Sequence, residues 1–213
     1  MNHDSVFRTV ILVWALGVVP VAVFYRVKSQ ASGEKLDRRK EGWPILLTLR
    51  PMGALCLIGV IAFLVNPSWM TWSSLGLPLW VRWTGLGTGI IAGILWLSAF
   101  HFLGKNLTDT VVTRQEHYLI TTGPYRWVRH PFYDAVLLCV MTISLLTANW
   151  FILLTGCSVF ALQALRTGRE EQHLLARFGE SYLAYTRRTG RFLPRWKLKD
   201  KPDQDMEQYQ DGI

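Results

Sequence analysis

Acidic residues are scarce in this chain. Fifteen Asp and Glu stand against twenty-three Lys and Arg, and charged residues of both signs make up only 18% of the sequence. With half of the 213 residues hydrophobic and a positive mean hydropathy, an ordinary soluble domain is excluded. The excess base does not describe a nucleic-acid binder either, because it falls between and after long apolar runs and not on a soluble face. Its natural counterpart is the anionic cytoplasmic leaflet of a membrane. Cysteine is equally sparse: Cys56, Cys139 and Cys157 all sit inside apolar runs without a CxxC pair. That excludes a disulfide framework and leaves three small core hydrophobes. His117, His130 and His173 are widely spaced with no cysteine beside them, so no metal site is expected.

What is present is a series of apolar spans, which predicts an all-α integral membrane protein of about five membrane helices. The first covers about residues 9–25. Asp4 and the lone Arg8 at its head, and the lack of a clean cleavage site, point to a retained helix bent or interrupted near Pro20. Residues 26–44 carry Arg26, Lys28, Lys35, Arg38, Arg39 and Lys40, so the positive-inside rule puts this loop in the cytoplasm and the N-terminus outside. A second span, about 45–65, holds Arg50-Pro51, read as a snorkelling arginine beside a tolerated proline. Residues 66–80 lack Lys and Arg but contain Trp69, Trp72 and Trp80, as an outer loop in the aromatic belt does. The third span, about 83–102, spaces Gly85, Gly89 and Gly93 by four, which opens one face to a neighbouring helix.

Two further apolar runs, about 132–148 and 150–165, break at Asn149. Each is near 16 residues, or roughly 24 Å at 1.5 Å per residue, which is short of a ~30 Å hydrocarbon core. A tight helical hairpin entering from the cytoplasm fits both lengths and charges. From Arg166 the chain is charged but helical in pattern, giving a C-terminal helix with Gly179 as an end or a bend. Three segments follow: membrane helices over 1–103, a core over 104–196, and a charged, apolar-poor tail over 197–213 that is expected to be disordered.

Between the third span and the hairpin lies the chemically richest stretch, His117 to Tyr133. It holds two histidines, three tyrosines, a tryptophan and two arginines, whereas a membrane-surface loop requires no histidine. Gly123-Pro124 breaks the chain, and Pro131 suits a helix start. Arg166 and Glu170 follow at i and i+4 and so share a helix face. Bland readings stand beside these. His130 would simply cap the hairpin. The Glu170-Glu171 pair would be a solvated face, and Tyr182 and Tyr185 would anchor the C-terminal helix.

Taken together, His117-Tyr-Leu-Ile-Thr-Thr-Gly-Pro-Tyr125, Arg129-His-Pro-Phe-Tyr133, Arg166-Thr-Gly-Arg-Glu-Glu171, Phe178-Gly179, Tyr182, Tyr185 and Arg191-Phe-Leu-Pro194 resemble the isoprenylcysteine carboxyl methyltransferase family. The wider integral-membrane group includes phospholipid N-methyltransferases. The resemblance covers about residues 101–195. It implies S-adenosyl-L-methionine as cofactor, with a cytoplasmic active site and a lipophilic methyl acceptor drawn from the membrane. It also implies that His117, Tyr118, Leu119, Ile120, Tyr125, His130, Pro131, Phe132, Tyr133 and Glu170 bind the cofactor. Arg166 and Glu170 would then be catalytic, with Arg166 on the acceptor side. Aromatic groups around Tyr125, Trp127 and Tyr133 would surround the adenine or the sulfonium. Two positions depart from the pattern: Asp134 where a small residue is common, and Thr110 where the family has glutamine. The acceptor is left open among isoprenylcysteine-type carboxylates, phospholipid amines and small hydrophobic thiols. A sterol-type reductase and a non-enzymatic membrane scaffold are the competing classes. Membrane lipids are expected partners, nucleic acid and metal are not, and the oligomeric state is not readable.

Overall fold

The computed structural model describes residues 3–30, 43–103 and 119–195. His117, Tyr118, Thr110 and the 197–213 tail lie outside them. Among the described residues the chain is all-helical, with isolated bridges in place of strands. Helix α1 spans His3–Gln30, α2 Trp43–Val65, α3 Leu79–Leu103, α4 Pro131–Thr147, α5 Trp150–Phe178 and α6 Glu180–Arg188.

Four of these, α1, α2, α3 and α5, are long and apolar enough to cross a membrane. The fifth apolar helix, α4, has 17 residues and forms the short arm of the hairpin. The protein is thus an integral membrane protein, with four long apolar helices and one shorter one among the described residues. Pro20 lies inside α1, which is helical on both sides of it. Pro51 lies inside α2, and Arg50 beside it is exposed.

The hairpin is less symmetrical than its hydropathy implies. Helix α5 does not stop where apolar residues end but continues for 29 residues to Phe178, roughly 44 Å at 1.5 Å per residue. Nothing between Leu165 and Phe178 breaks a helix, and Gly168 has open space around it. The expected separate helix after Arg166 is therefore the charged half of α5. The actual break is Gly179, where φ is +52°; only glycine adopts that conformation without strain. At the hairpin tip Ala148 takes a left-handed conformation, and the Asn149 side chain accepts from the Ile152 N–H at 3.1 Å.

The glycine face of α3 meets α4 and α1 within the same chain. A Cβ on Gly85 would press on Leu146, and one on Gly89 would press on Thr142. The indole of Trp14 on α1 donates to the Gly89 carbonyl at 2.8 Å, which requires the same close approach. A core of Phe7, Ile11, Phe63, Met70, Leu146 and Ile152 joins α1, α2, α4 and α5 at the tip end. The hairpin is thereby wedged between α3 on one side and α2 on the other, which fixes where its open end points.

Candidate active site

The open end of the hairpin is closed by the chain that follows α6. The backbone N–H groups of Arg129 and His130 donate to the carbonyls of Gly190 and Arg191 at 2.9 and 3.1 Å. Gly190 is obligatory in this contact, because a Cβ there would overlap the Leu193 carbonyl oxygen. Tyr185 on α6 donates its hydroxyl to the Tyr125 carbonyl at 2.7 Å, tying the 123–126 turn to the same structure. Tyr182 and Tyr185 are both buried, so they do anchor α6.

Glu171 sits at the centre of this end. Its Oε1 accepts from Arg129 Nε at 2.9 Å and lies 3.2 Å from His130 Nε2, while Arg191 binds its other oxygen. Arg129 also donates to the carbonyls of Thr186 and Thr189. Glu171 belongs to the charged half of α5, beyond the apolar run. Burial raises its carboxyl, but the hydrogen bonds from His130, Arg191 and Arg129 outweigh that and hold it well below the usual carboxylate range. Sequence reasoning treated Glu171 as part of a solvated face. The signal it passed over was Arg129 and Arg191, two arginines in fixed motifs at one membrane edge that both need an anion.

The neighbouring carboxylate points elsewhere. Tyr133 donates its hydroxyl to Glu170 Oε2 at 3.0 Å, and His130 Nδ1 lies 3.9 Å from the same oxygen. The His130 and Tyr133 rings stack at 5.5 Å. His130 heads α4 but makes no capping bond with its side chain; the ring bridges Glu170 and Glu171 instead. Arg166 is buried one turn before Glu170 and acts electrostatically on Tyr133. Tyr125 is buried as well. Desolvation, reinforced by the negative charge of Glu170, pushes its hydroxyl far above the ordinary range.

The structure therefore gathers Tyr125, His130, Tyr133 and Arg166 around the carboxylate of Glu170. Pro131 is buried at the start of α4, and Leu119 and Ile120 are half-buried. Phe132 turns away toward α3, packing edge-on against Phe100 at 5.4 Å and against Trp96 at 6.4 Å. Trp127 is 58% exposed beneath the Arg126 guanidinium, in a groove it shares with Ile91, Ile94 and Phe102 of α3. It does not stand with Tyr125 and Tyr133. Among the described residues no group of three or more metal-ligating side chains occurs.

This arrangement coincides with the region in which the chain is similar to known proteins. Residues 84–176 match the model of the isoprenylcysteine carboxyl methyltransferase (ICMT) family. Among curated proteins, the nickel-cobalt-cadmium resistance protein NccN of Alcaligenes xylosoxydans xylosoxydans is 33% identical over 106 residues, covering 50% of this chain and 45% of that protein. The cobalt-zinc-cadmium resistance protein CzcN of Cupriavidus metallidurans is 30% identical over 129 residues, 60% of this chain and 54% of that one. The protein-S-isoprenylcysteine O-methyltransferase of Schizosaccharomyces pombe is 28% identical over 100 residues, 46% of this chain and 42% of that one. The chain thus spans about half the length of the curated relatives it matches. The solved structure of a eukaryotic intramembrane Ras methyltransferase, ICMT, aligns at a TM-score of 0.49 and 22% identity, over 72% of this chain and 53% of that one.

Proposed function

We propose, from a chain whose residues 84–176 match the model of the isoprenylcysteine carboxyl methyltransferase family, that it transfers a methyl group from S-adenosyl-L-methionine to a lipophilic acceptor at the membrane–cytosol boundary. The observation that carries the reading is the division of labour between the paired glutamates. Glu171 is consumed by Arg129, His130 and Arg191. Glu170, with 30% of its side chain exposed, is held in place by Tyr133 beside buried Arg166. A scaffold has no need to aim a carboxylate and a guanidinium from one helix face into a common space.

The residues fit such a cofactor. Glu170 offers an anion, and Tyr125, His130 and Tyr133 offer aromatic faces, a combination suited to a cationic, ring-bearing group. S-adenosyl-L-methionine supplies an electrophilic methyl on a sulfonium. The protein's task is alignment and exclusion of water, since a carboxylate acceptor is already ionised and needs no strong base. Arg166 holds the anionic end of the acceptor through its guanidinium. Tyr133 fixes Glu170, and His130 is fixed in turn by Glu171, so a change in the outer pair is felt at the inner one. An isoprenylcysteine-type carboxylate suits Arg166 better than a phospholipid amine or a neutral thiol does. With basic residues 26–44 and the segment after Arg166 on the cytoplasmic side, the site faces the cytosol and the N-terminus lies outside.

The test is calorimetric titration of S-adenosyl-L-methionine into detergent-purified protein, with Glu170→Ala as control. Saturable binding that the variant loses supports the methyltransferase. A folded protein that binds none, with or without lipid, is a scaffold.

A further inference from the structure

Arg126 and Trp127 lie in the motif-bearing stretch yet take no part in the candidate site. Both are exposed, whereas Tyr125 before them and Val128 after them are buried. They border a groove of about 620 Å³ whose other wall is α3, a size within the roughly 300–1,000 Å³ usual for ligand pockets. The α3 wall consists of Ile91, Ile94, Leu95, Ser98 and Phe102. Steps of three and four residues put them on one face of the helix, and the glycines that meet α4 and α1 occupy another. Gly123 closes the floor. Its φ is +60°, and a Cβ there would overlap the Phe102 ring, so only glycine seats the 123–126 turn this closely on α3.

Length and charge say what fills this groove. Ile91 and Phe102 are eleven residues apart, roughly 16 Å along the helix, which is about half of a ~30 Å hydrocarbon core. The groove therefore runs the depth of one leaflet, from the edge where Arg126 stands to near the midplane. Ile91 and Ile94 are 58% and 63% exposed, so no described part of the chain covers the apolar wall. At the edge, the Arg126 guanidinium lies 4.9 Å from the centre of the Trp127 ring. Among the described residues no carboxylate pairs with it. Arg129 and Arg191 differ, since Glu171 takes both. Lipid coats any bilayer-facing helix, but a concave wall one leaflet deep with an unneutralised guanidinium at its headgroup end selects among lipids. It fits an acyl chain that carries a negative headgroup.

We infer that the groove between α3 and the 123–127 turn is a binding site for an anionic phospholipid of the surrounding leaflet. The lipid phosphate pairs with Arg126, and one acyl chain lies along Ile91, Ile94 and Leu95. This lipid is not the methyl acceptor, whose place is beside Arg166 and Glu170. It grips the outer side of a turn whose inner residue, Tyr125, is buried and tied to α6 by the Tyr185 hydroxyl. An occupied groove thus holds the turn from outside while α6 holds it from within. The inference does not depend on which reaction the chain performs.

The test uses full-length protein in a neutral detergent, titrated with phosphatidylglycerol or with phosphatidylcholine of the same acyl chains. Native mass spectrometry reads the dissociation constant of the first bound lipid, and the thermal midpoint is followed alongside. The expected result is a wild-type preference of about fivefold or more for phosphatidylglycerol, with a midpoint that rises with that lipid alone. Arg126→Gln abolishes both the preference and the rise, and its midpoint without lipid equals that of wild type because the side chain is exposed. Ile94→Trp fills the apolar wall without touching the charge and weakens phosphatidylglycerol binding by a similar factor. Arg187→Gln, an exposed arginine on α6 outside the groove, keeps the preference. A wild type that binds the two lipids equally overturns the inference. So does a preference that survives Arg126→Gln, which would belong to basic residues elsewhere, or an affinity that Ile94→Trp leaves unchanged, which would be a headgroup contact without the groove.

Discussion

Each end of the α4–α5 hairpin is organised by an arginine, buried Arg82 at the tip and half-buried Arg129 at the other, and the two do different things. At the tip, Arg82 of α3 donates through Nε and Nη2 to the Leu146 carbonyl at 3.1 and 2.7 Å. It also pairs with Asp4 at 2.8 Å and lies 3.9 Å from the centre of the Phe7 ring. Asn149 completes that end by donating to Ser73 Oγ at 2.8 Å and to the Met70 carbonyl. These groups are satisfied by one another, so the tip is closed structure. At the opposite end Arg129, His130, Arg191 and Glu171 form an equally saturated cluster. Beside it, however, stands Glu170, partly exposed. At the tip the charged and amide groups are paired with one another, although the Ser144 hydroxyl is not, whereas the other end holds a carboxylate that is partly open. A partly open carboxylate within an apolar protein is where a ligand is to be sought.

Breaking the saturated cluster at the site end has the largest effect. Glu171→Ala leaves the largely buried Arg129 guanidinium without its carboxylate and costs about 3–5 kcal/mol, read as a lower thermal midpoint in detergent together with lost cofactor binding. Acid does the same reversibly. The folded state lowers the Glu171 carboxyl below its unfolded range, so its contribution is complete above that range and disappears as pH falls through the folded value. A thermal midpoint plotted against pH should therefore be level at neutrality and decline below the ordinary glutamate range, and Glu171→Gln should flatten the decline. Next comes Gly190→Ala, which pushes the Leu193 carbonyl away and loosens the segment that pairs with Arg129 and His130. We expect a loss of about 1–3 kcal/mol, visible in thermal unfolding and in faster proteolysis after α6. Glu170→Ala sharpens the comparison with its neighbour: stability within about 1 kcal/mol of wild type, but S-adenosyl-L-methionine affinity reduced tenfold or more by calorimetry. The smallest effect belongs to the tip. Asp4→Asn removes a partner that is 41% exposed, and at most about 1 kcal/mol follows for an exposed ion pair, with cofactor affinity untouched.

Much of this was legible in the residues. The apolar runs announced membrane helices, Asn149 marked the hairpin tip, Gly179 marked a break, and the four-residue spacing of Gly85, Gly89 and Gly93 announced a tight helix contact. The i, i+4 spacing put Arg166 and Glu170 on one face. These features are local: periodicity, turn chemistry and helix geometry act over a few residues, and the chain writes them openly. The length of α5 was less legible, because hydropathy ends at Leu165 while helix propensity does not.

Which of two adjacent glutamates builds the end of the hairpin and which is left for chemistry was not written in the sequence. Glu170 and Glu171 differ by 100° around one helix, and only the docking of α6 and residues 189–191 against Arg129 and His130 gives that angle a meaning. The same holds for Phe132 and Trp127, aromatic residues inside the motif-bearing stretch that the fold turns toward α3. The sequence by itself determined the helices, their breaks and the inventory of reactive groups. The tertiary structure decided which of those groups satisfy each other and which remain open, because burial and pairing depend on distances between segments that no local pattern encodes.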